Sequence, residues 1–117
     1  MYIIKYNRIM EQDKDFVYLN AFVWDTAKNE ANKRNHGGLS FELASRVFND
    51  PLLYQDYDYS HSNDEDRGKY IGKIEWHYIA TVIATDREGL IRLISARKAE
   101  KTEVMLYEEN AKRIQGY

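Results

Sequence analysis

The sequence predicts an α+β domain built on an antiparallel sheet of about four or five strands, with two N-terminal-side helices and one C-terminal helix. Three observations predict it. Residues 27–48 carry helix caps and helix-compatible spacing, residues 52–96 alternate apolar and polar with period two, and residues 99–114 return to helical spacing. Helices and strands thus fall in separate runs, which is the pattern of α+β rather than alternating architectures. A chain of 117 residues makes one domain and buries enough surface for a core without staples. It contains no internal repeat and no low-complexity tract.

Taken in order, residues 1–15 mix apolar Met1 to Tyr6 with the polar run from Glu11 to Asp15, leaving a short strand and an irregular arm equally open. Phe16 to Trp24 is rich in β-formers and broken at Asn20, so it reads as one or two strands. Asp25 and Thr26 are helix N-cap types, and Gly37-Gly38 stop the helix from Ala27 to His36. Its only apolar residues are Ala27 and Ala31, so it must lean on Trp24 or another neighbour. Ser40 caps a second helix, Phe41 to Phe48, which buries Phe41, Ala44, Val47 and Phe48, and Asn49-Asp50-Pro51 ends it.

The strands follow. Leu52 to Tyr57 is the first, Asp58 to Arg67 is a polar loop, and Lys69 to Ile74, Trp76 to Thr85 and Leu90 to Ala96 form a meander that turns at Asp86-Arg87-Glu88-Gly89. The terminal helix carries Val104, Leu106, Tyr107, Ala111 and Ile114 among charges.

Composition removes several functions. No cysteine means no disulfide framework, no thiolate metal site and no cysteine nucleophile, which fits a reducing, cytoplasmic setting. Trp76 to Thr85, the longest run free of acids, Lys and Arg, is half of the ~20 residues a spanning helix needs, so no membrane segment is predicted. The N-terminus lacks the pattern of a secretory signal. No Gly-rich phosphate loop, HExxH or GxSxG occurs.

The net charge of −2, from 17 Lys and Arg against 19 Asp and Glu, is a sum of opposed patches. Asp56 to Asp66 holds five acids and no Lys or Arg, while Arg92 to Lys101 holds four cations against Glu100. That argues against broad coating of nucleic acid and leaves a local cationic site open.

Strict alternation in the last strand sets Ile91, Leu93, Ser95 and Arg97 on one face, and Leu90, Arg92, Ile94 and Ala96 on the other. A guanidinium at a strand end suits a phosphate; equally, Arg92 and Arg97 can pair with nearby acids. His36, beside Lys33 and Arg34, shares a helix stripe with Asn29 and Lys33. Neighbouring cations would keep its imidazole neutral enough to act as a base, while a histidine in a last turn also suits the helix dipole. The acidic segment does not fit a calcium loop, because His61 falls at the turn glycine and Arg67 at the bidentate glutamate. His61 there favours its charged form, and His77 reads as packing.

These residues resemble a known family. Phe22-Val23-Trp24-Asp25 with Ala27-Lys28-Asn29, then Ala31-Asn32 to His36-Gly37, Ser40 to Ala44 and Val47 to Pro51 are similar, in order, to BrnT-type toxins. His61-Ser62, Glu65-Asp66-Arg67, Ile71-Gly72, Arg92 to Ala99 and Tyr107-Glu108-Glu109 continue the resemblance, which covers residues 22–109. Thr26 replaces the family's usual proline, Asn35 replaces a basic residue, Lys33 takes an apolar position, and an extra residue sits in Gly37-Gly38-Leu39. On this resemblance residues 1–117 form one domain, with 1–20 an N-terminal extension and 21–113 the toxin-like core.

The resemblance implies a RelE-like fold and an intracellular type II toxin that cleaves RNA without a metal or other cofactor. It implies neutralisation by a small BrnA-type antitoxin, with DNA engaged only indirectly through that complex and no membrane partner. Attack of a ribose 2′-hydroxyl on the adjacent phosphate needs a base, an acid and positive charge at the phosphorane. The expected assignments are His36 as base, Arg67 and Arg97 for transition-state charge, Lys28 and Lys98 for phosphate positioning, and Tyr107 as acid or stacking group. The alternative is an inactive module of the same fold that binds an antitoxin-like partner and acts in transcriptional autoregulation.

Overall fold

A computed structural model describes residues 15–58, 66–76 and 78–116. The undecided character of residues 1–14, most of the Asp58–Arg67 loop with His61, and the packing of His77 lie outside the described residues. Asn20 takes a left-handed φ of 55° and folds the first aromatic run back on itself, so β1 (Phe16–Leu19) pairs antiparallel with β2 (Phe22–Asp25). The chain then enters α1 (Thr26–Asn35), α2 (Phe41–Ala44) and a 3-10 turn, Ser45–Asn49. Four strands follow: β3 (Tyr54–Tyr57), β4 (Gly68–Lys73), β5 (Ile79–Arg87) and β6 (Leu90–Lys98); α3 (Lys101–Gln115) closes the chain.

Among the described residues the sheet has six strands in the order β1-β2-β6-β5-β4-β3. β2 runs parallel to β6, through Phe22 opposite Ile91 and Val23 opposite Arg92, and the other pairs are antiparallel. The sheet is therefore mixed, which corrects the expected antiparallel sheet of four or five strands. Short turns announce hairpins in the sequence, whereas the β2–β6 pairing joins segments almost seventy residues apart and has no local signal. The strand expected from Trp76 begins at Ile79, because Glu75 takes a left-handed φ of 47° and breaks the extended chain.

A second correction concerns the faces of β6. Leu93 and Ala96, three residues apart, both belong to the main core, each 1% exposed, which strict alternation forbids. The register slips where Ile83 pairs with Ser95 and Ala84 with Leu93, so Ile94 is one extra residue in β6. Alternation resumes beyond it in opposite phase. Arg92 and Arg97 consequently share the face turned away from the main core, and Arg92 lies over the Phe16 ring at 5.2 Å.

The main core lies between the sheet and the α1–α2 side. Phe41, Ala44 and Val47 are fully buried against Ile74, Ala80 and Val82, and Phe41 meets the edge of Trp24 at 6.3 Å. The 3-10 turn can cross β4 this closely only because position 72 has no side chain. A Cβ on Gly72 would stand 2.9 Å from both Val47 Cβ and Leu53 Cδ1, and 3.1 Å from the Val47 carbonyl.

α3 covers part of the opposite face through Glu103, Tyr107 and Ala111, a single stripe at i, i+4 and i+8. Leu106 and Ile114, part of the same apolar pattern in the sequence, fall off that stripe and are exposed. Tyr107 donates its hydroxyl to Asp50 Oδ2 at 2.6 Å, and burial, together with the Asp50 carboxylate, pushes its phenol well above the ordinary tyrosine range. Asp50 Oδ2 also accepts the Lys73 N–H at 2.8 Å, tying the end of the 3-10 turn to β4 and α3.

Glu103 is the polar centre of this contact. Its carboxylate accepts from Arg97 Nη1 and Nη2 at 2.7 and 2.8 Å, Thr81 Oγ1 at 2.9 Å and the Glu100 N–H at 2.8 Å, and Lys69 Nζ lies 2.8 Å away. Burial alone would push this carboxyl up, but those donors outweigh it and hold Glu103 well below the usual carboxylate range.

Because the folded-state value lies below the ordinary 4.5, the folded chain binds fewer protons than the unfolded one in acid; this stabilisation is complete above pH 4.5 and fades as pH falls further. Glu103→Gln should lower stability by about 2 kcal/mol at pH 7, or about 10 °C in Tm, and its deficit relative to wild type should narrow below pH 4.5 in thermal melts. Gly72→Ala should cost about 1–3 kcal/mol in urea unfolding, through overpacking against Val47 and Leu53.

Candidate functional site

Helix α1 starts where Asp25 Oδ1 accepts the Lys28 N–H at 3.1 Å, and ends at His36, whose N–H reaches the Asn32 carbonyl at 2.9 Å. Gly37 and Gly38 follow at φ of 63° and 85°, a left-handed pair that side chains would strain. The reversal returns Leu39 to the core and sets Ser40 Oγ to accept the Leu43 N–H at 3.0 Å, starting α2. His36 and Gly37 are thereby left exposed at the tip of α1.

The helix is held by amides rather than by apolar packing. Asn32, 6% exposed, donates to the Leu39 and Ala96 carbonyls at 3.0 and 2.8 Å and accepts the Ala96 N–H at 3.1 Å. It satisfies the edge of β6 where β2 has already turned into α1. Asn29, on the stripe predicted to accompany His36, instead accepts the Phe41 N–H at 2.8 Å. These bonds fix the end of α1 against the end of β6.

The result is a cavity of about 400 Å³ lined by His36, Gly37, Tyr78, Arg97 and Lys98. Lys98 Nζ stands 6.0 Å from the centre of the Tyr78 ring, within reach of a cation–π attraction. Arg97 contributes fixed positive charge, although Glu103 already takes both of its terminal nitrogens. Lys98 is exposed, so the accessible cation of the cavity is an ammonium.

Three of the six predicted site residues, His36, Arg97 and Lys98, therefore meet. Arg67 does not join them. It lines a second cavity of about 680 Å³ with Asp56, Asp66 and Asp86, as well as Tyr57, Tyr70 and Thr85. Arg97 pairs with Thr81 and the second cavity begins at Ala84, so the two places lie about 10–13 Å apart along β5 at ~3.3 Å per residue. Three carboxylates against one guanidinium make the larger cavity unfavourable for a polyanion, whereas the smaller one carries cations and an imidazole. Lys28 is exposed in the first turn of α1, about 12 Å along the helix from His36 at ~1.5 Å per residue. Tyr107 is committed to Asp50 and is 6% exposed.

Sequence reasoning missed Tyr78, Asn32 and Glu103. Two asparagines inside a short helix were a usable signal, since asparagine disfavours helix interiors unless its amide has another task. Tyr78 and Glu103 carried none: a strand tyrosine and a helix glutamate are ordinary. Among the described residues no three His, Asp or Glu side chains come together as a metal site, and no helix is long and apolar enough to cross a membrane.

Residues 24–103, more than half of the chain, match the family model described as ribonuclease toxin, BrnT, of type II toxin–antitoxin system. Among solved structures, the chain is similar to the crystal structure of the Brucella abortus ribonuclease toxin BrnT, with 22% identity, a TM-score of 0.49, and coverage of 67% of this chain and 94% of that one. No curated protein sequence matches it. The matched family segment includes the end of α1, the whole of β6 and Glu103, so it contains the cavity and the carboxylate that braces it. The chain belongs to the BrnT family of ribonuclease toxins of type II toxin–antitoxin systems.

Proposed function

We propose that this chain is an endoribonuclease that cleaves RNA without a metal at the cavity of His36, Tyr78, Arg97 and Lys98. The observation that carries the reading is an imidazole, an exposed ammonium and a guanidinium held by Glu103 lining one cavity in a family of ribonuclease toxins. Such a lining attracts a phosphodiester and repels a divalent cation. His36 takes the proton of a ribose 2′-hydroxyl, and the oxygen attacks the adjacent phosphorus. Lys98 and Arg97 face the charge that gathers on the non-bridging oxygens. The bond to the 5′-oxygen breaks and that oxygen takes a proton, from the imidazolium or from water. The products are a 2′,3′-cyclic phosphate and a free 5′-hydroxyl. DNA, lacking the 2′-hydroxyl, is not a substrate.

Lys28, outside the cavity, is assigned to a flanking phosphate of a longer strand, and Arg67, set among Asp56, Asp66 and Asp86, is given no part in the step. Tyr107, held by Asp50, is assigned a structural role. A BrnA-type antitoxin is the proposed partner, and the cytoplasm the proposed location. A second reading, an inactive module that binds the antitoxin and autoregulates its promoter, draws support from the saturation of Arg97 by Glu103.

Incubation of the purified protein with RNA in excess chelator separates the two. Cleavage is expected in wild type, with losses of about 10²-fold or more in His36→Ala and Lys98→Ala at unchanged Tm. Absence of cleavage by wild type would favour the inactive module, and equal cleavage by all three proteins would remove the site. Arg97→Ala is a poor probe, because it also strips Glu103 of its main partner.

A further inference from the structure

The connection between β4 and β5 carries an aromatic side chain that the cavity does not use. Trp76 is 87% exposed, whereas the chain's other tryptophan, Trp24, is 3% exposed in the core. Two contacts reach the described residues that flank it. The Ile74 N–H donates to the Tyr78 carbonyl at 2.9 Å, and Arg46 pairs with the Glu75 carboxylate at 3.3 Å. Between them Glu75 keeps a left-handed φ of 47°, a conformation costly for a residue with a Cβ.

We propose that Trp76, together with Tyr78, is a stacking platform for an unpaired base of single-stranded RNA whose phosphate sits at Lys98 and His36. Trp76 is two residues from Tyr78, within about 7 Å of chain, comparable to the reach from a base to its own phosphate. Tyr78 already lies beside Lys98 on the cavity wall. An aromatic platform next to a cationic cavity is how proteins hold single strands with little regard to sequence, and each stacked base contributes about tenfold or more in affinity. Among the described residues of this turn Trp76 is the one exposed large apolar side chain, and the Lys98 ammonium beside Tyr78 favours a polyanion over an apolar protein surface.

The inference deepens the ribonuclease reading and rests on it for the place of the phosphate. Its test is binding of a short oligonucleotide with 2′-O-methyl riboses, which cannot be cleaved, followed by tryptophan emission and by anisotropy. Saturable quenching of the wild-type emission is expected, with shielding from acrylamide, and an abasic strand of equal charge should neither quench nor shield. Trp76→Ala should weaken binding about tenfold, and Trp76→Phe should restore it to within about twofold. Equal affinity of wild type and Trp76→Ala, with no quenching, would overturn the platform. So would unchanged oligonucleotide binding by Trp76→Ala alongside lost affinity for the antitoxin, which would assign the ring to protein docking. If binding depends on Trp76 but wild type cleaves no RNA, the ribonuclease reading fails and the platform stands. If cleavage occurs and Trp76→Ala binds and cleaves as wild type does, the platform fails and the ribonuclease reading stands.

Discussion

One carboxylate organises the far side of this molecule. Glu103 gathers Lys69 of β4, Thr81 of β5 and Arg97 of β6 onto the first turn of α3, and no apolar residue could bridge three adjacent strands in this way. An ion pair on a buried carboxylate adds little net stability over well-packed hydrophobic side chains, but breaking it leaves two half-buried cations without their partner. It fixes geometry. With Arg97 clamped, the end of β6 is immobilised, and Lys98, the next residue, is presented at a defined place beside Tyr78.

The same end of β6 is held along its edge by Asn32, whose amide pairs with both backbone groups of Ala96. Two polar clamps, one at a face and one at the edge, thus bracket residues 96–98. The β-bulge at Ile94 makes this possible, since without it Ala96 and Leu93 could not both reach the core while Arg97 turns to Glu103. The cavity follows from these constraints, because its walls are the neighbours of the clamped residues. A site made from one ammonium, one imidazole and a compensated guanidinium has limited affinity for RNA in salt. An aromatic contact such as that of Trp76 is insensitive to ionic strength and supplies what charge alone does not.

Much of the local structure was legible in the residues. Asp25 and Ser40 announce helix starts, Gly37-Gly38 announce a reversal, and the meander from β4 to β6 can be read from period-two alternation and its turns. Non-local facts were hidden. The parallel pairing of β2 with β6 depends on which edge remains free after the hairpins form, and the bulge depends on packing at Leu93 and Ala96. Within the site, family motifs gathered six residues along the chain, but only three of them share a cavity. For Arg97 the residues left a phosphate and a nearby acid both open; the acid it meets is Glu103, which spacing on an amphipathic helix presents as one more surface charge. Tyr107, ambiguous on its helix, is buried against Asp50.

The proposed site puts the phosphate at the Tyr78 end of β5 and not at the Ala84 end. Titrating the isotopically labelled protein with a non-cleavable single-stranded RNA and following backbone amide shifts resolves this directly. Shifts concentrated at His36, Gly37, Tyr78 and Lys98, with Tyr57, Arg67 and Thr85 unmoved at low occupancy, are the predicted result. Shifts that begin around Arg67 and leave His36 and Lys98 unperturbed would contradict it.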